Sequence, residues 1–438
     1  MPNQLIMEDI FDKKIEIEFT KKNMSSDSGV LFFKPVIKKL NLIKNITGIL
    51  HDPRDPLLIT HTYSELLEQR LGLMIAGYND LNDSTFLKRD PVLKIFCKGA
   101  KSDQNLASTS TLFRFDDKVT INENKKLVEL QAKLYLERNE IRFENEIKKN
   151  GFLSIVINAD PTDVQTYGSQ QLSLFNGYYE EVCYLPMIIT DGKNGDLICG
   201  FLRPGNKHAS WCFESILTRL FKLIELKYPN VKYHFRCDSG FQKESLFNFL
   251  DNRKNLTYEI ALSQNNSLLK MVKEYYTDSE IFYENKILKL YKEFGYKADS
   301  WSKFRRIVAK IEINRHGYDI RFVVTNGSLT ALHTIEDYHQ RCDIENRIKE
   351  LKNYAGANRL SANSFSSNFF RFNMSCFVTI CFQEFNKKLS GTVFEKSYIS
   401  TIREKFIKVA GIITKSTRRV LLELSVNYPY KEYLHLLL

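Results

Sequence analysis

No two cysteines in this chain stand two residues apart. The eight that occur (97, 183, 199, 212, 237, 342, 376 and 381) are scattered, whereas a structural zinc site needs closely paired Cys or His ligands. Their apolar neighbours, as in EEVCYLPM and DLICGFL, are those of buried free thiols in a reducing compartment. Long apolar runs are missing too: Leu153 to Ile157 and Tyr184 to Ile189 are far too short to span a bilayer. The opening MPNQLIMEDIFDKKIEIEF carries acidic residues early and no apolar core followed by a small-residue cleavage site, so no secretory signal is expected. No internal repeat sets up a solenoid. No G-x-x-x-x-G-K-[ST] loop is present to cradle a nucleotide's phosphates. The expectation is a cytoplasmic protein with no membrane span and no nucleotide cofactor.

What is present is a soluble globular composition, 43% hydrophobic, over a length that exceeds one ordinary core and predicts two or three domains. Lys and Arg total 63 against 52 acidic residues, a formal charge of +11. That excess favours a polyanionic partner, because each neutralised phosphate releases counterions. Charge alone does not decide the point.

The texture of the sequence changes along its length. Residues 1–150 read as mainly helical after a short extended start (Lys14 to Phe19), with helices over Pro56 to Ile75 and Asn122 to Lys149, and suit a DNA-binding region. Between them, LASTSTLFRFD offers Ser and Thr to cap a helix or to bond phosphates. Residues 151–265 are strand-rich: Phe152 to Asp160, Tyr178 to Thr190 and Asp196 to Leu202, then a helix (His208 to Lys227). A strand (Val231 to Asp238), a helix (Gln242 to Asp251) and a strand (Leu256 to Ser263) follow. Three strands, helix, strand, helix, strand is the order of a ribonuclease-H-like α/β fold, a mixed sheet with helices on its faces. Residues 266–330 predict a β-rich insertion with strands at Lys286 to Tyr291, Arg305 to Ile313 and Tyr318 to Thr325. Residues 331–390 return to core helices. Residues 391–438 form a DNA-contact or dimerisation tail, with a hairpin around Lys415-Ser416-Thr417.

Three carboxylates fall where such a layout brings them together. Asp160 ends the first strand, Asp238 ends the fourth, and Glu345 lies on the first helix after the insertion. An acid directly after a hydrophobic strand sits at the sheet's carboxyl edge, where α/β folds place their sites. Hard divalent cations take oxygen ligands, so a few convergent carboxylates suffice to hold magnesium. Asp163 competes with Asp160 for the first position; Pro161 turns the chain between them and leaves Asp163 able to support the metal or a backbone amide.

The helix around Glu345 adds a pattern. Tyr338, Arg341, Glu345 and Lys352 reproduce a Y-x2-R-x3-E-x6-K spacing, whose steps return close to one helix face. That signature is similar to the one of many bacterial insertion-sequence transposases. DPRDPLLITHTYSELLEQR, GYNDLNDSTFLKRDPVLK, LFNGYYEEVCYLP, LRPGN, CDSGF and RFVVTN run in order with it from residue 52 to residue 352. Together they resemble the insertion-sequence 1380 family of DDE transposases.

The resemblance implies a ribonuclease-H-like core and two magnesium ions, with manganese as substitute, held by Asp160, Asp238 and Glu345. It implies double-stranded DNA as partner, both the element's terminal inverted repeats and the target, with Tyr338, Arg341 and Lys352 on the DNA ends. Cleavage would free a 3′-hydroxyl that attacks target DNA, in a nucleoid-associated homodimer. Cys342-Asp343 departs from the family's pattern, which often has an aromatic after the arginine. Arg203 and Asn206, in LRPGNKH, are further candidate phosphate contacts. Trp301, beside Arg305 and Arg306, is either a buried anchor or a candidate to stack on an extruded base. A nuclease or resolvase without strand transfer, and a DNA-binding regulator without catalysis, are the alternatives.

Overall fold

The computed structural model describes residues 4–7, 15–99, 104–275, 288–314 and 317–438. Lys14 and Lys286, where two of the expected strands begin, lie outside them. At the chain's start β1 (Gln4–Met7) and β2 (Ile15–Glu18) form an antiparallel pair, and β3 (Asn23–Ser25) follows.

A run of helices comes next: α1 (Tyr63–Ala76), α2 (Thr109–Lys118), α3 (Ile121–Arg138) and α4 (Glu140–Asn150). Two of them start on capping boxes, Thr62 with Glu65 and Thr120 with Glu123, each satisfying otherwise orphaned backbone donors. The expected helix over Pro56 to Ile75 begins later, because Pro56–Leu58 is a separate short turn. The long charged helix is broken at Asn139, whose side chain bonds Asp196 instead of continuing the helix face.

The centre of the molecule is a mixed sheet. Its strands are β4 (Leu153–Pro161), β8 (Met187–Asp191), β9 (Leu197–Phe201), β10 (Val231–Cys237), β11 (Leu256–Leu262), β12 (Leu288–Tyr296), β13 (Arg305–Asn314) and β14 (Gly317–Thr325). Spatially they run β12-β13-β14-β11-β10-β4-β8-β9. β10 pairs in parallel with β4 and β11, and every other neighbour is antiparallel. Helices α5 (Phe213–Lys227) and α6 (Glu244–Asp251) bury apolar faces beside it.

The strands expected within 266–330 fall at 288–325, and β14 pairs with β11, so they extend the central sheet. The expected strand over Tyr178 to Thr190 is split. Its first part is β7 (Glu181–Tyr184), which joins β5 (Val164–Gln165) and β6 (Leu174–Asn176) in a small side sheet. Leu185-Pro186 intervenes before β8.

After the sheet come α7 (Ala331–His339), α8 (Asp343–Asn353) and the buried α9 (Phe365–Lys388). Among the described residues no helix is long and apolar enough to cross a membrane. The α9 helix explains why: Arg371, Asn373 and Glu384 are buried along it. Gln131 donates to Asn373 (2.7 Å) and accepts from the Gly200 amide (2.8 Å), so α3, α9 and β9 close on one satisfied polar knot. The tail hairpin, β15 (Gly411–Lys415) with β16 (Val420–Leu424), pairs back onto β3. One hydrophobic core extends from Val30 to Leu437, so the expected boundaries at 150 and 390 separate sequence textures without dividing the core. Six of the cysteines are buried as free thiols, whereas Cys212 and Cys342 are exposed.

Asp116 is buried between two guanidiniums, 2.9 Å from Arg371 Nε and 3.9 Å from Arg70 Nε. Removing a buried charge strands its partners, typically for about 3–5 kcal/mol. Asp116→Ala is therefore expected to lose about that much in urea unfolding at equilibrium; a loss under about 1 kcal/mol would contradict the pairing.

Candidate active site

The register of the two central parallel strands sets the first two acids side by side. Cys237 of β10 is opposite Ala159 of β4, so the next residues, Asp238 and Asp160, reach the same carboxyl edge of the sheet. Asp160 is 9% exposed. Asp238 leaves its strand and caps the short turn Ser239–Phe241, its Oδ1 accepting from the Gly240 amide at 3.0 Å. Glycine is required in that turn because a Cβ at Gly240 would lie 2.8 Å from the Ala209 Cβ.

The third acid arrives from the helices. The expected single helix carrying Tyr338, Arg341, Glu345 and Lys352 is two: a tight turn, Gln340–Cys342, separates α7 from α8. Tyr338 thus ends α7, Arg341 lies in the turn, and Glu345 and Lys352 lie on α8. Arg341 lies beside the acids. Its Nη1 is 3.0 Å from Asp160 Oδ2 and its Nη2 is 3.8 Å from Glu345 Oε1. Tyr338 packs on Val308, Val323 and Ile335, with the Arg341 guanidinium 5.9 Å from its ring centre. Lys352 Nζ lies 3.2 Å from Asp163 Oδ2 and 3.4 Å from Thr162 Oγ1. Asp163 therefore faces Lys352 while Asp160 faces Arg341. Between the end of β4 and α8 is a cleft of about 350 Å³ lined by Asp160, Thr162, Glu345, Lys349 and Lys352 among others.

These charges shape one another. Burial pushes the Asp160 carboxyl up to about 7; Asp238 and Glu345 push the same way, and Arg341 pulls against them. Burial also raises Asp238, offset in part by Arg341 and the Gly240 amide. Burial works against the Arg341 charge, but Tyr338, Asp160 and Asp238 outweigh it and hold the guanidinium protonated above its ordinary range. Asp160, Asp238 and Glu345 stand around one internal cation, with Glu345 exposed and with one ligand oxygen from each not falling within 4.8 Å of the others. Such a set suits a hard divalent ion, whose charge would relieve the desolvated carboxylates.

Sequence reasoning overlooked Tyr179. Burial raises its phenol above the ordinary range, and Asp163 and Asp160 push in the same direction, which puts it within the field of the acids. It stands in the quoted LFNGYYEEVCYLP segment, but nothing in the spacing assigned it a role, since the side sheet that carries it is a tertiary feature.

Several accessory candidates are not available to DNA as expected. Arg203 is 1% exposed and donates to the carbonyls of Leu185 (2.8 Å) and Ala209 (2.6 Å). The LRPGN segment is a structural corner: a Cβ at Gly205 would strike the carbonyl oxygens of Cys183 and Leu174. Asn206 beside it is exposed. Trp301 is buried against Phe247 and Tyr296, with Arg305 over its ring. Arg305 is itself buried, bridging Glu244 (2.8 Å) and Asp251 (3.3 Å). Arg306 pairs with Glu293 and donates to the carbonyls of Gly327 (2.9 Å) and Leu329 (2.6 Å). These three anchor the extended sheet edge to α6 and to the start of α7.

The raised Asp160 carboxyl has a pH signature. Between about pH 4 and 7 the folded chain holds a proton there that the unfolded chain releases, so stability falls as pH rises through that window. In chelator, Asp160→Asn should gain stability over the parent from pH 4 to pH 8, by at most a few kcal/mol. A difference that stays flat in urea unfolding across that range would contradict the coupling.

Comparison with known proteins adds the following. Comparison with curated proteins returned no match. A cryo-EM structure of the piggyBac transposase synaptic complex with hairpin DNA aligns over 89% of this chain and 83% of that chain, at 10% identity and a TM-score of 0.40. The crystal structure of the NurA nuclease from Sulfolobus solfataricus aligns over 62% of this chain and 97% of that one, at 12% identity and a TM-score of 0.21. The family model described as transposase DDE domain group 1 matches residues 7–438, nearly the whole chain, and the chain belongs to that family.

Proposed function

We propose that the chain is a DNA transposase of the insertion-sequence 1380 type. It binds the terminal inverted repeats of its element, cleaves the ends, and joins the 3′-hydroxyls to target DNA by phosphodiester transesterification. The observation that carries this reading is the side-by-side register of Asp160 and Asp238, with Glu345 tied to Asp160 through Arg341. The strands β9-β8-β4-β10-β11 run in the spatial order three-two-one-four-five, with only the second antiparallel to both its neighbours, which supports a ribonuclease-H-like core.

Asp160, Asp238 and Glu345 would hold the metal, magnesium or manganese, and Asp163 would support it from beside Thr162. Two such ions supply activation of the attacking oxygen and stabilisation of the leaving oxygen. The chain's own residues do the rest. Burial of Asp160 and Asp238 keeps water from screening their charge, so a cation is bound strongly there. Arg341 balances Asp160 and Glu345 and presents the one internal cation of the site toward a phosphate. Lys352 and Lys349 line the cleft wall, where a DNA backbone is drawn by charge. Tyr338 buttresses Arg341.

The mainly helical 1–150 region and the 391–438 tail contribute further DNA contacts or a dimer interface, because two ends must be joined in one event. The enzyme works as a homodimer on the nucleoid in the cytoplasm.

Asp238→Asn and Glu345→Gln are each expected to lower cleavage and joining of inverted-repeat DNA with Mg²⁺ by roughly a thousandfold or more. End binding by gel shift should stay within a few-fold. Cleavage that survives either change would overturn the assignment of that acid. Hydrolysis by the parent without any joined product would replace strand transfer with a nuclease reading.

A further inference from the structure

A second cluster of titratable side chains lies on the central sheet, outside the chemistry above. His234 and Glu259 stand on the neighbouring parallel strands β10 and β11, where Thr257 is opposite His234 and Glu259 is opposite Arg236. Asp337 reaches them from α7. His234 Nε2 lies 2.8 Å from Asp337 Oδ2 and 3.8 Å from Glu259 Oε2. One ligand atom from each of the three falls within 4.8 Å of the others; among the described residues no other His, Cys, Asp and Glu group does so.

Three features point to a ligand at this place. Glu259 is 2% exposed, and its Oε2 has no hydrogen-bond donor. A buried carboxylate oxygen without a donor is costly unless a cation meets it. Second, His234 Nδ1 lies 2.8 Å from Thr257 Oγ1, whose own hydrogen is directed to the Tyr233 carbonyl at 3.5 Å. With Nδ1 engaged by Thr257, Nε2 turns toward the two carboxylates. This is the backing that imidazole ligands of metals ordinarily have. Third, Arg236 Nη1 fixes Asp337 through its backbone oxygen (2.6 Å) and Oδ1 (3.4 Å), which leaves Oδ2 facing His234. The side chains of His234 and Asp337 are 18% and 28% exposed, so water reaches the open side.

We propose that His234, Glu259 and Asp337 form a binding site for one divalent transition-metal ion, distinct from the oxygen-only group of Asp160, Asp238 and Glu345. An imidazole with two carboxylates suits zinc or manganese, whereas magnesium takes oxygen donors. A proton competes for the same nitrogen: burial disfavours the imidazolium, but the nearby Asp337 and Glu259 carboxylates outweigh it and raise the His234 pKa. Zinc binding is accordingly weaker at lower pH. Because Asp337 directly precedes Tyr338, an ion here ties α7, and through it the Arg341 turn, to β10 and β11.

The test is made in the full chain carrying Asp160→Asn, Asp238→Asn and Glu345→Gln, which removes the acid site and makes the outcome independent of the transposase reading. After chelator treatment, calorimetric titration with Zn²⁺ at pH 7.5 should give one ion per chain, and Co²⁺ should give a visible absorption band. Adding His234→Gln or Glu259→Gln should abolish both. Thr257→Val, a milder change, should weaken zinc about 10- to 100-fold, with unchanged circular dichroism confirming the fold. No stoichiometric zinc in the blocked chain, or zinc unaffected by His234→Gln and Thr257→Val, would overturn the proposal.

Discussion

Burying Asp160 beside Asp238, with the exposed Glu345 near them, is unfavourable, and the contact of Arg341 with Asp160 is what makes it tolerable. Asp160 and Asp238 lose hydration, and the charges of Asp238 and Glu345 repel that of Asp160. The guanidinium lies 3.0 Å from Asp160 and 3.8 Å from Glu345, and its own charge is held by the acids and Tyr338. The partners are 181 residues apart in sequence, so the contact exists only when the sheet and the helices after it are both in place. The tight turn Gln340–Cys342 keeps helical backbone angles at both ends, so Arg341 retains Tyr338 three residues before it and Glu345 four residues after it as neighbours.

The remainder of the fold supplies rigidity behind that contact. The α9 helix is buried on nearly every side, and its polar residues are spent on neighbours: Asn373 on Gln131 and Asn124, Arg371 on Asp116, Glu384 on Lys39 and Lys387. These knots join the N-terminal helices to the sheet. Asp116 Oδ1, Arg371 Nη2 and Glu384 Oε1 have no hydrogen-bond partner, so ion pairing together with the Asn and Gln bonds seats the N-terminal region on the core. The tail hairpin closes the circuit by pairing with β3 near the start of the chain.

Much of this was legible in the sequence because it depends on local pattern. The apolar run ending at Asp160, the alternation before Asp238 and the helical spacing around Glu345 each declare an element and its end. What escaped is what tertiary contact decides. Arg203 and Arg305 read as candidate DNA contacts, yet both are buried, because side chains with long apolar stems serve as well inside as outside when carbonyls or carboxylates meet their heads. The strands after residue 287 declare themselves as strands, but nothing local says that β14 will pair with β11. Tyr179 stayed silent for the same reason. Its neighbourhood with Asp160 and Asp163 is made by a small sheet folded against the strand ends.

Metal-directed backbone cutting examines the central claim at the site itself. With Fe²⁺ in place of magnesium and ascorbate as reductant, radicals form at the bound ion and cut the chain nearby. The account predicts cuts near Asp160, Asp238 and Glu345 together, suppressed by excess Mg²⁺ and lost in Asp160→Asn with Asp238→Asn. Cuts that miss these three segments, or that persist unchanged in the double variant, would contradict a shared metal centre.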